Sequence, residues 1–153
     1  MKDADPSGID ALMTDLYESI SGAAGAPRDW ARNDAMYAPG ALLVIAHPGA
    51  DGVATLETLT AEQFRATRDP LFQSADFFEV EVGREVSVRG NIAHVFSAYE
   101  ARRTADGPAF ASGHNSLELV YSDGRWWVVM CLWEGHATSA QLRTEHVVRL
   151  GGK

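Results

Sequence analysis

The side chains of this sequence best suited to chemistry are His47, His114, Tyr17, Arg84 and Cys131. His47 precedes Pro48-Gly49. Its imidazole could serve as a general base, because an unperturbed histidine titrates near about 6.5; the alternative is a solvated histidine beside a turn. His114, with Ser116 and Glu100, could form a polar cluster in an aromatic cavity, or be a core histidine with its hydrogen bonds satisfied. Tyr17 could donate its hydroxyl to a developing oxyanion, or pack with its tip hydrogen-bonded. Arg84 interrupts the alternation Phe78-Val80-Val82-Arg84-Val86-Val88 and so needs a counter-charge, either Glu100 or a ligand carboxylate. Trp30, Trp127 and Trp133, together with Phe64 and Phe96, could line an apolar ligand site or simply fill a core. Cys131 reads as a small buried hydrophobe, and Glu79, Glu81 and Glu85 as a solvated strand face.

The elements that must position these residues change period along the chain. From Ser7 to about Ser21, Ile9, Leu12, Met13, Leu16, Tyr17 and Ile20 form one helical stripe, with Asp5-Pro6-Ser7 at its start and Gly22 and Gly25 at its end. Pro27 to Ala31 reads as a second, short helix, residues 41–46 as a short buried strand, and residues 47–52 as a loop. Thr60-Ala61-Glu62-Gln63 is a capping box opening a third helix through Phe64, Arg68, Leu71 and Phe72, with Pro70 perturbing its end. After Ser74 four alternating runs follow, near 76–89, 91–103, 109–122 and 125–135, an antiparallel meander in which Gly83 is a site for a bulge.

Register follows from the turns. A two-residue loop at Asp123-Gly124 places Ser116 opposite Cys131 and His114 opposite Trp133, with Phe96, Ala98 and Glu100 on the same mixed face. The other face carries Val95, Ser97, Tyr99, Asn115, Leu117, Leu119, Trp126, Val128, Met130 and Leu132. Periodicity alone favours packing this apolar face on the helices; the alternative lines a cavity with the mixed face and turns the apolar one toward a second subunit.

Composition narrows the function classes. In 153 residues, 13 Lys+Arg against 21 Asp+Glu leave a formal charge of −8, and the basic residues are scattered, which argues against nucleic acid as a partner. A single cysteine forms no internal disulfide, and no Cys/His spacing resembles a zinc site, so no metal is expected. No apolar run approaches the roughly 20 residues that span a bilayer, and Met-Lys-Asp-Ala-Asp-Pro offers no signal-peptide core, so the expectation is a cytoplasmic protein without a membrane partner. One domain over 1–153 is expected, with its core at about 8–136 and a C-terminal tail at 137–153.

Three helices and a short strand before a long meander ending in Asp123-Gly124-Arg125-Trp126 resemble the nuclear transport factor 2-like superfamily, over roughly residues 8 to 136. That superfamily includes ketosteroid isomerases, SnoaL-type polyketide cyclases, limonene epoxide hydrolase and scytalone dehydratase. The resemblance implies an α+β fold, with N-terminal helices packed in the concave side of a long, curled antiparallel sheet, a cone-shaped α+β barrel. It also implies ligands held in the cone and dimers formed through the outer sheet face, here through Val95, Leu117, Leu119, Met130 and Leu132. It places pocket-facing positions at Val129, Cys131 and Trp133, and so favours the mixed face for the cavity. Tyr17 matches the oxyanion-binding Tyr of ketosteroid isomerases, whereas their general-base Asp falls at His47 and their protonated Asp near Ser116; the acid of the cyclases and the epoxide hydrolase falls at Cys131. Loss of those three carboxylates argues against steroid isomerisation, SnoaL-type cyclisation and epoxide hydrolysis by the known routes. Two functions remain. One is a cofactor-independent lyase, isomerase or cyclase for an apolar or aromatic small molecule, with Tyr17, His47 and His114 as catalytic candidates and Trp30, Phe64, Arg84, Phe96, Glu100, Ser116, Cys131 and Trp133 as ligand contacts. The other is a non-catalytic ligand-binding or dimerisation module of the same fold.

Overall fold

In the computed structural model, which describes residues 1–135 and 147–150, the expected helical stripe becomes α1 (Ser7–Glu18), with Ile9, Leu12, Met13, Leu16 and Tyr17 buried. The Asp5 carboxylate accepts the Ser7 N–H at 2.9 Å, satisfying one of the donors a helix start leaves open. The second helix, α2 (Trp30–Asp34), starts beyond Pro27 because Asp29 caps it by accepting the Arg32 N–H. Between α1 and α2 the buried Arg28 guanidinium donates to the carbonyls of Ile20, Gly22, Ala23, Ala26 and Phe72, which ties this connection to the end of α3 (Ala61–Ser74). Gly22 has no room for a side chain there, since an added Cβ would lie 2.6 Å from Arg28 Nη1.

Helix α3 opens on the expected capping box: Thr60 Oγ1 accepts the Gln63 N–H at 3.1 Å and the Gln63 side chain accepts the Thr60 N–H at 2.9 Å. Pro70 lies inside α3 without ending it. Thr60→Ala removes half of the box and is expected to cost about 1 kcal/mol, read as a lower urea midpoint at unchanged slope.

The strands are β1 (Tyr37–His47), β2 (Thr55–Leu59), β3 (Phe78–Arg89), β4 (Ile92–Arg102), β5 (Ala109–Ser122), β6 (Arg125–Glu134) and β7 (Val147–Arg149). They form one curled, unclosed sheet in the order β3-β4-β5-β6-β1-β2-β7. The meander β3 to β6 is antiparallel as expected, but β1 runs parallel to β6, so the sheet is mixed. Residues 41–46 are part of a longer strand, β1, and the expected loop at 47–52 begins one residue late, because His47 pairs with Thr55 of β2. Most of the tail expected at 137–153 lies outside the described residues; β7, within it, adds an edge strand beside β2.

Two bulges decide which side chains face the helices. Asp123 and Gly124 both have positive φ, at 52° and 77°, and form the expected two-residue turn. The pairing runs as expected to Leu119↔Val128, and then an extra residue at Val129 shifts it to Glu118↔Met130 and Leu117↔Cys131. A one-residue slip exchanges faces. Cys131 and Trp133 therefore join Asn115 and Leu117 on the concave side, while Met130 and Leu132 turn outward with Ser116. On β3 the extra residue is Val82, beside Gly83. Ahead of it Glu79 and Glu81 pair with the buried Ala101 and Tyr99, so these two glutamates face inward, and of the three read as solvated only Glu85 is exposed.

The apolar face packs on the helices. Val95, Leu117, Leu119, Trp126 and Val128 are 3% exposed or less within one chain and join the α1 stripe in a continuous core. The expected dimer face is thereby corrected, since Val95, Leu117 and Leu119 are already covered. Among the described residues no helix is long and apolar enough to cross a membrane.

Candidate functional site

Where the sheet curls away from α1 and α3, the packed core gives way to a cavity of about 600 Å³. Its walls are mainly apolar and aromatic: Leu16 of α1 and Ile20 just beyond its end, Phe64 and Phe72 of α3, Tyr37 and Ile45 of β1, and Trp133 of β6. The aromatic side is built as one cluster. Phe64 meets Trp133 edge-on at 5.8 Å, and Phe72 stacks on Phe77 at 5.0 Å. Such an enclosure has the size and polarity of a small-molecule site.

Into this cavity projects Glu79 of β3. Glu79 is half-buried, its open side being toward the cavity, and Asn115 Nδ2 donates to its Oε1 at 3.4 Å. Burial is the main influence on it and pushes the carboxyl up to about 7, against the opposing pull of the Asn115 hydrogen bond. A carboxyl that titrates near neutral pH in an apolar cavity has the property required of a general acid or base.

Behind Glu79 runs a chain of polar contacts. Asn115 Nδ2 also donates to Tyr17 Oη at 3.2 Å, Tyr17 Oη lies 2.6 Å from Ser97 Oγ, and Ser97 Oγ donates to Glu81 Oε2. Arg84 then donates to both Glu81 oxygens, at 2.6 to 3.1 Å, and to Asp10 at the surface. Since Ser97 gives its proton to Glu81, it must accept from Tyr17. The Tyr17 hydroxyl proton is therefore committed within the chain and is not directed at a ligand. Burial foremost also pushes the hydroxyls of Tyr17, Tyr37 and Tyr99 and the Cys131 thiol upward, so these groups stay neutral.

On the α3 side, Arg68 lines the cavity and donates through Nη2 to Glu57 Oε1 at 2.9 Å, and His47 Nε2 lies 3.3 Å from the same oxygen. His47, Glu57 and Arg68 are 1%, 0% and 5% exposed. His47 is therefore neither a loop histidine nor a wall of the cavity; it is one member of a buried ionic cluster behind it.

Of the residues expected to contact a ligand, Phe64, Cys131 and Trp133 line the cavity. Trp30 stands one layer behind, packed on Phe64 and Phe72 with its indole N–H donated to Asp69 at 2.8 Å. Four residues are corrected, because the Val129 bulge leaves their face outward. His114 is exposed and stacks on Phe96 at 4.7 Å, Ser116 lies beside Phe96 on the same convex surface, and Glu100 is bound by Arg102 at 2.6 Å. Val129, also expected to face the pocket, is 42% exposed at the bulge itself, and Trp127 lies on the convex side under Arg125. Arg84 finds its counter-charge in Glu81 and Asp10, while Glu100 is paired with Arg102. The residues that sequence reasoning missed are Glu79, Asn115 and Arg68. Among the described residues no group of three or more His, Cys, Asp or Glu side chains is arranged to hold a metal.

Neither the protein-family models nor the curated proteins include a match to this chain. Solved structures do resemble it. A protein of unknown function with a cystatin-like fold from Nostoc punctiforme superposes with a TM-score of 0.66 at 13% identity, over 88% of this chain and 92% of that one. A nuclear transport factor 2-like protein from Cytophaga hutchinsonii gives 0.63 at 14%, over 87% and 99%. A proposed aromatic ring hydroxylase from Novosphingobium aromaticivorans gives 0.61 at 12%, over 95% and 93%.

Proposed function

We propose, from the premise that this chain has the nuclear transport factor 2-like, cystatin-like fold, that its cavity takes a small apolar or aromatic molecule and that Glu79 moves a proton on it. The protein is then a SnoaL-like, cofactor-independent isomerase, lyase or cyclase. The observation that carries this reading is one carboxyl, raised toward neutrality by burial, at the wall of an otherwise largely apolar cavity. Deprotonated Glu79 takes a proton from an activated C–H, and the electron pair of that bond passes into the adjoining carbonyl. Protonated Glu79 returns the proton at another position. Arg68 also lines this cavity, its charge balanced by Glu57, and its guanidinium offers N–H donors to negative charge developing on the ligand.

The test uses 2-tetralone, an apolar bicyclic ketone with an acidic α C–H, incubated with the protein in D₂O. Exchange of the α hydrogens, followed by NMR, is expected to exceed the buffer rate and to rise with pH through about 7 as Glu79 ionises. Glu79→Gln is expected to lower it by roughly 10² to 10⁴-fold, the usual contribution of a positioned acid or base. Binding of 2-tetralone without exchange, unaffected by Glu79→Gln, would instead identify a non-catalytic binding module.

A further inference from the structure

Glu81 does not line the cavity, yet the direction of the hydrogen bonds behind Glu79 starts from it. Its carboxylate is clamped by Arg84 and accepts from Ser97. An acceptor at this end forces the same polarity on every link: Tyr17 donates to Ser97, so the Tyr17 oxygen is left to accept. Among the described residues the Asn115 amide nitrogen reaches that oxygen with a proton, and its second N–H points to Glu79. Rotating the amide by half a turn would set its oxygen against both the Glu79 carboxylate and the occupied lone pair of Tyr17. We propose that Glu81 is a positioning residue, which through Ser97 and Tyr17 locks the Asn115 amide with its nitrogen toward Glu79 and so holds Glu79 as a proton acceptor. The inference rests on the reading of Glu79 given above only in taking that carboxyl as the group that exchanges protons.

The amide orientation has a definite consequence. An N–H facing the carboxyl stabilises its ionised form, whereas a carbonyl oxygen in the same place stabilises the protonated form. The other groups facing Glu79 do not compete for this role. Tyr17 of α1, Tyr37 of β1, Tyr99 of β4 and Cys131 of β6 are kept neutral by burial. Arg68 is paired with Glu57, Arg103 at the cavity donates to the Asp76 carbonyl at 2.9 Å, and Glu81 on the same strand is paired with Arg84.

Glu81→Gln reverses the chain. Arg84 keeps the amide oxygen of Gln, so its NH₂ takes the place next to Ser97 and donates to it. Ser97 then donates to Tyr17, and Tyr17 to the carbonyl oxygen of Asn115. The titration midpoint of Glu79, followed by ¹³C NMR of glutamate-labelled full-length protein and assigned by its loss in Glu79→Gln, is expected to rise by about one pH unit, a tenfold gain in proton affinity. Removing the Glu81 charge without any reorientation would move the midpoint the other way, because a nearby anion is lost. Tyr17→Phe breaks the chain in its middle and frees the amide to follow either charge state, so a smaller rise is expected there. If Glu81→Gln does not fold, Tyr17→Phe decides by the same criterion. A midpoint that is unchanged or lowered overturns the proposal. Titration and turnover fail separately: the shift without any tetralone exchange refutes the proposed function alone, and exchange that depends on Glu79 with an unmoved midpoint refutes the positioning role alone.

Discussion

Glu79→Gln is expected to raise the melting temperature by about 5 to 10 °C at pH 8 and to leave it nearly unchanged near pH 4. The sign follows from proton binding. Burial raises the carboxyl from 4.5 to about 7 in the folded chain, so below 4.5 it is protonated in both states and costs nothing extra. Between these values the folded state binds more protons than the unfolded one, and stability falls as pH rises. Above about 7 the charged form is held in the cavity at full cost. A shift of this size corresponds to about 2 to 3 kcal/mol, since the carboxylate retains some exposure toward the cavity. Glutamine keeps an oxygen for the Asn115 N–H and never ionises, so it removes the pH-dependent penalty and little else. Paired melting curves across pH 4 to 8 check this. A Tm difference independent of pH would mean that burial of the Glu79 charge is not its source. The same substitution is expected to slow proton exchange, and a stability gain bought with activity is the usual signature of a strained functional group.

The alternation of β3 hides such a residue for a physical reason. Glu79, Glu81 and Glu85 alternate with Phe78, Val80 and Val82, and an alternating strand is naturally oriented with its apolar set inward. Here β3 lies at the sheet edge, where the outward valines are tolerated, and the extra residue at Val82 reverses the strand between Glu81 and Arg84. Gly83 signalled a bulge, but not which way the glutamates would face. The bulge at Val129 had no marker at all, because Val128-Val129-Met130 contains neither Gly nor Pro, and this one slip misplaced His114, Ser116 and the Phe96 face. The element order, the α1 stripe, the Thr60 capping box and the Asp123-Gly124 turn were legible because each is a local signal. Pairing of β1 with β6 is long-range and leaves no such mark, and the five-residue β2 is too short to show a period of its own. Periodicity alone favours the apolar face for helix packing, and on β4 and β5 that is the arrangement found.

The sequence itself holds one clue to the interior. Arg68 stands on the same helical face as Phe64 and Phe72, and a guanidinium on a buried stripe requires a carboxylate. That partner is Glu57, on a strand the sequence hardly announces, with His47 sharing its oxygen. Removing one member of a buried ion pair takes away its neutralising charge from the other, so Arg68→Met is expected to destabilise the fold by about 3 to 5 kcal/mol. Melting should fall by roughly 10 °C or more. Methionine fills much of the arginine's volume, so the loss comes from the broken ion pair with Glu57 and not from a void. Adding Glu57→Gln to Arg68→Met removes that charge as well and leaves an amide that can still bond to His47. The double variant is therefore expected to recover most of the loss, and a double-mutant cycle in urea measures the coupling directly. If the double variant is no more stable than Arg68→Met alone, packing of the arginine stem on Phe64, and not the ion pair, is what Arg68 contributes beside the cavity.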